Sequence, residues 1–332
     1  MKKTLFPFVL TLLVLAGCDG KRGDSSANPA GNTPATDVPV FQADSALSSI
    51  IRQCSFGPRV TGTESHARCG EYIANTFGAL GYDVTKQNAT FTRYDGVKMD
   101  GYNIIARSLS KQPKRLLIAA HWDSRPWADQ DVSEANLHKP IPGANDGASG
   151  VAVMLELARV LSLHPDSALP AVDFICFDAE DCGTPEWEER GEDHESTWCL
   201  GSQFWSKQPH RTDYAYGILL DMVGGRGARF YREGYSMQFA AQVVERVWNA
   251  ARQAGYSDYF PRDDSGYITD DHLFVNRLAR IPMIDIVPYH PIGDSSFGPT
   301  WHTLQDAPEN IDPATLRAVG QTLLQLIYTE TD

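Results

Sequence analysis

The chain has 332 residues, with 42 acidic residues against 29 Lys and Arg and a formal net charge of −13. This balance excludes the broad basic surface that nucleic-acid binding requires. A negative surface favours encounter with ligands that carry a protonated amine, although solubility explains the charge equally well.

The N-terminus has the pattern of an export signal. Two lysines precede a mostly apolar run from Leu5 to Leu15, which ends in a lipoprotein cleavage box at Cys18. This pattern predicts a signal peptide over residues 1–17 and a lipid on the Cys18 thiol. The alternative is a short membrane anchor, but the run falls short of the roughly 20 apolar residues that span a bilayer. We therefore expect an exported lipoprotein that is anchored in a membrane and faces the periplasm.

Residues 18–40 are rich in Gly, Ser, Asn, Pro and Thr and lack apolar periodicity, so they have no means of burying a core. We interpret them as a flexible tether. Residues 41–332 alternate apolar runs with amphipathic segments and contain no second low-complexity break or repeat. A segment of about 290 residues is long enough to bury one large core. It is predicted to form a single globular domain.

Five short runs rich in Ile, Leu, Val and Phe have the composition of buried strands. They are residues 102–107, 115–120, 171–177, 216–221 and 281–287. Four other segments repeat apolar residues at three- and four-residue spacing, as amphipathic helices do. They are residues 64–80, 148–163, 236–254 and 313–328. Strands that alternate with helices predict an α/β fold, with a largely parallel sheet covered by helices on both faces.

Polar side chains cluster at the end of three of the predicted strands or directly after it. They are His121, Asp123, Asp178, Glu180, Asp181 and Asp221. A solvated loop is the alternative explanation for the acidic run 178–181, but this run follows a strand of core character. Ligands of open α/β sheets bind outside the carboxyl ends of the strands. The sequence therefore predicts a site at this edge that contains carboxylates and an imidazole.

Two residues on other segments complete a candidate metal site. Asp146 lies in a turn of small residues before a predicted helix, where an aspartate by itself is as often a helix cap as a ligand. His302 lies in a loop rich in Pro and Gly, where a lone histidine is usually solvated or hydrogen-bonded locally. Together with Asp181 they supply two carboxylates and one imidazole, which leaves one position of a catalytic zinc open. Glu180 is then free to face substrate as a general base or acid.

The cysteines leave their pairing open. Five remain beyond the one in the cleavage box, and an odd number leaves at least one thiol unpaired. Cys176 lies within an apolar strand and is expected to be a buried small hydrophobe. Disulfides Cys54–Cys69 and Cys182–Cys199 are two hypotheses that the spacing cannot decide.

Six short motifs occur in order along the chain. They are His121-Trp122-Asp123-Ser124, Asn145-Asp146-Gly147, Asp178-Ala179-Glu180-Asp181, Leu220-Asp221-Met222, Asp270-Asp271-His272 and Trp301-His302-Thr303. In this order they resemble the zinc-dependent aminopeptidase family and, within it, the glutaminyl cyclase branch. The resemblance runs from roughly residue 48 to residue 328. It implies a mixed, mostly parallel sheet and a catalytic zinc-dependent domain over residues 41–332.

For a cyclase, the resemblance implies one zinc per chain, held by Asp146, Asp181 and His302, with Glu180 as proton shuttle. The family's cyclases usually carry Glu at the position of Asp181, so the shorter side chain is a departure from their pattern. The resemblance also leaves an alternative open, a two-zinc aminopeptidase that releases N-terminal amino acids. That enzyme would add His121 and Asp221 as ligands of the second metal.

Other positions favour the cyclase. The resemblance implies that Asp270, supported by Asp221, hydrogen-bonds the amine or leaving group of the substrate. It also implies a pocket lined by Trp187, Trp301, Phe297 and Ile268, although the two tryptophans could instead be packed aromatics. The expected substrates are peptides or proteins with N-terminal glutamine, which is converted to pyroglutamate with release of ammonia. An inactive peptide-binding protein is a third possibility, but every ligand and Glu180 are retained.

Overall fold

A six-stranded mixed sheet organises the chain. We describe it in a computed structural model that covers residues 38–166, 168–189, 191–192, 194–292 and 295–330. The predicted signal peptide, Cys18 and all but the last three residues of the predicted tether lie outside the described residues. Within the described part, no helix is both long and apolar enough to cross a membrane.

The strands are β1 (Asp83–Thr92), β2 (Lys98–Arg107), β3 (Arg115–His121), β4 (Ala171–Phe177), β5 (Tyr216–Leu220) and β6 (Met283–Ile286). Their order across the sheet is β1-β2-β4-β3-β5-β6. The four strands β3 to β6 pair in parallel, whereas β1 and β2 form an antiparallel pair that joins β4 antiparallel. Every residue of β3, β4, β5 and β6 is buried, as expected for parallel strands covered on both faces.

The helices are α1 (Ala43–Cys54), α2 (Glu64–Ala79), α3 (Ala148–Leu163), α4 (Leu200–Lys207), α5 (Gly234–Gln253), α6 (Asp271–Phe274) and α7 (Pro313–Thr329). Side chains alternate along β3, so that Leu116 and Ile118 join the core beneath α1, α2, α3, α5 and α7. Leu117 instead faces a smaller core with Trp205 of α4 on the opposite side. The predicted α/β class, with a mostly parallel mixed sheet between helices, is confirmed.

Helix α3 runs from the turn that contains Asp146 to the groove that Val38 borders. It begins two residues after Asp146, and Gly150 lets it approach the sheet closely, since a Cβ there would lie 2.3 Å from the main-chain oxygen of Leu220. Its other end, at Leu163, borders the same shallow groove as Val38. Sixteen residues at 1.5 Å each separate these ends by about 24 Å.

The described cysteines Cys54, Cys69, Cys176, Cys182 and Cys199 are all free thiols. The structure therefore contains neither of the two hypothetical disulfides. Cys176 is fully buried in the core, in agreement with its expected role as a small hydrophobe. The thiol of Cys199 has a polar partner in the site described next.

Candidate active site

The carboxyl ends of the parallel strands bring the predicted polar residues together. His121 is the last residue of β3, the acidic run 178–181 directly follows β4, and Asp221 directly follows β5. Asp146 joins them from the turn that precedes α3, and His302 from the loop before α7. Because parallel strands end at the same edge, residues far apart in the chain meet there. All of these side chains are buried.

Asp146 lies at the centre of two groups of possible metal ligands. In one group Asp146, Asp181 and His302 offer atoms within 4.8 Å of one another; in the other, His121, Asp146 and Asp221 do the same. The Nε2 atom of His302 is 3.2 Å from Asp181 Oδ1 and 3.8 Å from Asp146 Oδ2. His121 Nε2 is 2.9 Å from Asp146 Oδ1 and 3.2 Å from Asp221 Oδ1. The bridging position of Asp146 is thus a property of the fold.

The first group fits a zinc ion. Two carboxylates and one imidazole are the oxygen and nitrogen donors that catalytic zinc takes, with a fourth position left open to the cleft. Asp181 Oδ2 is buried without a hydrogen-bond partner, and a buried carboxylate oxygen without one is costly unless a cation or proton satisfies it. The donor set and this unsatisfied oxygen therefore both suit a bound cation.

Buried carboxylates hold the backbone of the ligands in place. Asp306 accepts hydrogen bonds from the main-chain N–H groups of Asn145, at 2.7 Å, and Asp146, at 3.1 Å. Asp123 accepts from the main-chain N–H groups of Glu180, at 3.1 Å, and Asp181, at 3.2 Å. Burial, with the neighbouring charge of Asp146, raises the pKa of Asp306 to about 7. Two further aspartates therefore hold the turn at Asp146 and the acidic run 178–181 in place through hydrogen bonds to their main chains.

Glu180 faces the cleft from a tightly held position. The thiol of Cys199 donates to Glu180 Oε1 at 3.3 Å, and the Cys199 main-chain N–H donates to the Glu180 carbonyl oxygen at 2.9 Å. Ala179, just before it, has a left-handed backbone with φ of 52°, a conformation that alanine rarely adopts. Burial raises the pKa of Glu180 well above its usual value, and the charges of Asp181 and Asp270 act in the same direction.

Asp270 and Asp221 are two more buried acids on the cleft. Asp270 is the N-cap of α6, where its Oδ1 accepts from the Asp271 N–H at 2.6 Å, while its Oδ2 has no partner. Oxygen atoms of Asp270 and Glu180 lie within 4.8 Å of each other. Burial raises the pKa of Asp270, and it raises that of Asp221 to about 8. Asp221 can therefore carry a proton at neutral pH.

An aromatic cleft of about 470 Å³ opens above these acids. The predicted pocket residues Trp301, Phe297 and Ile268 all line it. The Trp301 ring stacks on the imidazole of His302 with 3.7 Å between centroids, and the Phe297 ring lies 4.9 Å from that of Trp301. This wall therefore continues directly into the group of zinc-ligand candidates.

The structure corrects the prediction for Trp187, which does not line this cleft. Its side chain is 40% exposed and packs at 4.5 Å from the ring of His138 and 5.9 Å from that of Trp127. Trp198 lines the cleft instead and lies nearly parallel to the ring of His302, at 6.1 Å and 8°. Distance along a loop does not predict which aromatic side chain turns inward; the one distinction in the chain is that Trp198 lies two residues before the start of α4.

Sequence reasoning also missed Arg125 and Asp129. Both lie in the long connection between β3 and α3, which has no periodicity to indicate burial. Their side chains are nevertheless buried and joined to each other, and they contact both Asp181 and His302. Although burial raises the pKa of Asp129, Arg125 and His302 hold it well below its usual range.

The chain is similar to a known protein family, to curated proteins and to solved structures. The model of peptidase family M28 matches residues 103–327. A glutaminyl-peptide cyclotransferase from Drosophila melanogaster is 26% identical over 78% of this chain and 73% of that protein. A solved structure of Bacteroides thetaiotaomicron glutaminyl cyclase bound to N-acetylhistamine is 49% identical, with a TM-score of 0.85 over 89% of this chain and 100% of that chain. A solved leucine aminopeptidase precursor from the same organism is also 49% identical, with a TM-score of 0.83 over 89% and 99%.

Proposed function

Because the chain belongs to peptidase family M28, we propose that it is a zinc-dependent glutaminyl-peptide cyclotransferase. Its substrates are peptides or proteins with N-terminal glutamine, and its products are pyroglutamyl peptides and ammonia. The observation that carries the proposal is the closeness of Glu180 and Asp270 at the floor of an aromatic cleft, beside an open-sided ligand group. Glutaminyl cyclases among the relatives support it.

We propose that Asp146, Asp181 and His302 hold one zinc per chain. When bound, the metal supplies a Lewis acid that polarises the γ-carbonyl oxygen of the glutamine side chain. The proposed count of one is supported by His121, whose Nε2 is within hydrogen-bonding distance of both Asp146 and Asp221. No buried side-chain nitrogen or oxygen of this second group lacks a hydrogen-bond partner, whereas Asp181 Oδ2 in the first group does.

Glu180 moves the proton. The α-amine nitrogen of the substrate bonds to the carbon of the side-chain amide, and the carbon–nitrogen bond to the amide nitrogen breaks. Glu180 accepts the proton that the amine loses and gives it to the departing nitrogen, which leaves as ammonia. A carboxyl group whose pKa is raised above its usual value holds a proton more readily, which suits a group that must take up a proton and pass it on.

The remaining cleft residues orient the substrate. Asp270, with Asp221 beside it, hydrogen-bonds the amine or the leaving nitrogen. Because the attack is intramolecular, a large part of the barrier is removed by holding the glutamine bent so that its amine meets its own amide. The aromatic side chains that line the cleft can hold the glutamine in this bent form. They are Trp198, Trp301 and Phe297.

Two peptides test this function, one that begins with glutamine and one that begins with leucine. Each peptide is incubated with the purified protein and one equivalent of zinc, and the masses of the products are measured by mass spectrometry. We expect the glutamine peptide to lose the mass of ammonia and the leucine peptide to remain intact. Shortening of the leucine peptide by one residue would overturn the proposal in favour of an aminopeptidase.

The second candidate, a two-zinc aminopeptidase, is favoured by one observation. His121, Asp146 and Asp221 form a second three-residue group that shares Asp146 with the first. A second metal there would need His121 Nε2 to be released from both aspartates. Two zinc ions per chain after dialysis, together with the shortened leucine peptide, would support this candidate.

We also propose that the protein is exported and anchored in a membrane through a lipid on Cys18, facing the periplasm. The pattern of residues 1–18 supports this proposal, and those residues lie outside the described part of the chain. Labelling cells with a radioactive fatty acid tests it, because the wild-type protein should take up label and a Cys18→Ser variant should not.

A further inference from the structure

A buried ion pair lies behind two of the proposed zinc ligands. The guanidinium of Arg125 donates to both carboxylate oxygens of Asp129, from Nε at 2.7 Å and from Nη2 at 2.5 Å. The side chains of both residues are at most 1% exposed. A two-point contact of this kind has a defined orientation, since the planar fork of arginine matches the carboxylate.

Arg125 uses its remaining nitrogen on Asp181. Nη1 donates to the Asp181 main-chain oxygen at 3.1 Å and to its Oδ1 at 3.2 Å. The guanidinium also lies 4.7 Å from the ring centre of Trp198, which limits its movement. Arg125 therefore holds one oxygen of Asp181, while the other, Oδ2, is left without a hydrogen-bond partner.

Asp129 approaches the other proposed ligand. Its Oδ1 lies 3.3 Å from Nδ1 of His302, the ring nitrogen that is turned away from Asp146 and Asp181. Metal-bound histidines usually give the hydrogen of their second ring nitrogen to a carboxylate or carbonyl, which sets the tautomer and the ring orientation. In this structure His302 Nδ1 is buried without a hydrogen-bond partner, and Asp129 Oδ1 is the carboxylate oxygen that lies 3.3 Å from it.

We propose that Arg125 and Asp129 form one positioning unit that sets the orientation of Asp181 and His302 for zinc. The inference rests on the ligand set proposed above. It also accounts for how the short side chain of Asp181 can serve as a ligand. With Oδ1 and the main chain both held by Arg125, a short side chain is sufficient to present Oδ2.

The competing explanation is that the pair only stabilises the fold. The chain offers a matched control at the other end of β3, where Arg115 binds the carboxylate of Asp173 and the main-chain oxygens of Ser108 and Ser110. Both side chains are almost fully buried there as well. A lysine at position 115 therefore causes a comparable loss of buried contacts far from the cleft.

The experiment compares zinc affinity in the wild type, Arg125→Lys, Arg115→Lys and Asp181→Asn. Dissociation constants come from competition with a chelator, and the visible absorption of the cobalt-loaded protein reports the coordination geometry. We expect Arg125→Lys to weaken zinc binding about tenfold or more and to change the cobalt spectrum. Arg115→Lys should lower the thermal midpoint without either change, and Asp181→Asn should bind zinc most weakly.

Each outcome separates the inference from the ligand set. Wild-type affinity in Asp181→Asn would overturn the ligand set itself. Loss of zinc in that variant, together with wild-type affinity and spectrum in Arg125→Lys, would overturn the positioning unit alone. Equal weakening of zinc binding in Arg125→Lys and Arg115→Lys would also overturn the positioning unit, since the loss of affinity would then come from general destabilisation. If Arg125→Lys does not fold, Asp129→Asn is judged by the same criteria.

Discussion

Glu180 combines a buried carboxyl group with a hydrogen bond from the thiol of Cys199 at 3.3 Å. At the level of single residues, this is the group on which turnover should depend most. Replacing Glu180 by glutamine keeps the size and the acceptor oxygen but removes the ability to take a proton. We expect Glu180→Gln to keep its zinc and to lose between about 10²- and 10⁴-fold in kcat.

Steady-state kinetics, with zinc content measured on the same samples, check this expectation. Glu189→Gln is the matched control, because it makes the same chemical change in the exposed loop that follows. That variant should retain the wild-type rate. Full activity of metal-loaded Glu180→Gln would show that another group moves the proton.

Trp198 and Trp187 make a second matched pair, since both lie in the loop between β4 and α4. Only Trp198 lines the cleft. We expect Trp198→Ala to lower kcat/KM about tenfold, mainly by raising KM, because loss of the aromatic wall weakens the contact with substrate. Trp187→Ala should stay within about twofold of the wild type. The reverse order of effects in peptide kinetics would contradict the assignment of the wall.

Among the elements, the segment between α4 and β5 has a built-in sensitivity to acid. Trp205 donates to Nδ1 of His210 at 3.1 Å, and Nε2 of His210 lies 3.0 Å from the Tyr214 hydroxyl, which itself donates to Asp173. His210 must therefore accept at one nitrogen and donate at the other, as only the neutral ring does. Burial is the main reason why its pKa falls to about 4.

The sign of the pH effect follows from this depressed pKa. Between pH 6.5 and about 4 the unfolded chain binds a proton at His210 that the folded chain does not, so stability is lost as the pH falls through that window. From pH 7 to pH 5 the loss at this site is about 1 kcal/mol, allowing for the partial exposure of the ring. We measure the free energy of unfolding in urea at pH 7 and at pH 5. Between these two values it should fall by about 1 kcal/mol less in His210→Gln than in the wild type. An equal fall in the free energy of unfolding in both proteins would show that His210 does not cause the sensitivity to acid.

The elements also show which sequence signals are dependable. Helix α3 was predicted at its exact bounds, because its apolar pattern is continuous and small residues mark its start. Strand β1 was missed, since it lies at the edge of the sheet and most of its side chains are exposed or only partly buried. The polar sequence 83–92 therefore lacked the apolar content by which the other strands were recognised.

The same limit explains what was missed in the site. Asp146, Asp181, Asp221 and His302 were found because they directly follow strands or belong to ordered motifs. Arg125 lies in an irregular connection, where a charged residue is normally expected to be solvated. Its burial depends on Asp129 and Asp181, and that arrangement exists only after the chain has folded.

For the whole molecule, zinc binding should appear as thermal stability. A ligand that binds only the folded state adds about 2.7 kcal/mol to the free energy of unfolding when its free concentration is 100 times its dissociation constant. We therefore expect a strong chelator to lower the thermal midpoint of the wild type by several degrees, and added zinc to restore it. Differential scanning calorimetry measures both changes.

The control for this prediction is the variant that lacks one proposed ligand. Asp181→Asn should unfold at nearly the same temperature with chelator and with zinc, since it has little zinc to lose. A wild-type midpoint that does not respond to either addition would show that no metal contributes to the folded state.

The course of α3 has a further consequence for access to the cleft. The described chain begins at Val38, beside the end of α3 that is about 24 Å from the catalytic edge. Val38 and the groove beside it therefore lie far from the cleft. A diffusing peptide could thus enter the cleft by its first residue while the rest of its length trailed outward, without meeting the segment at which the described chain begins.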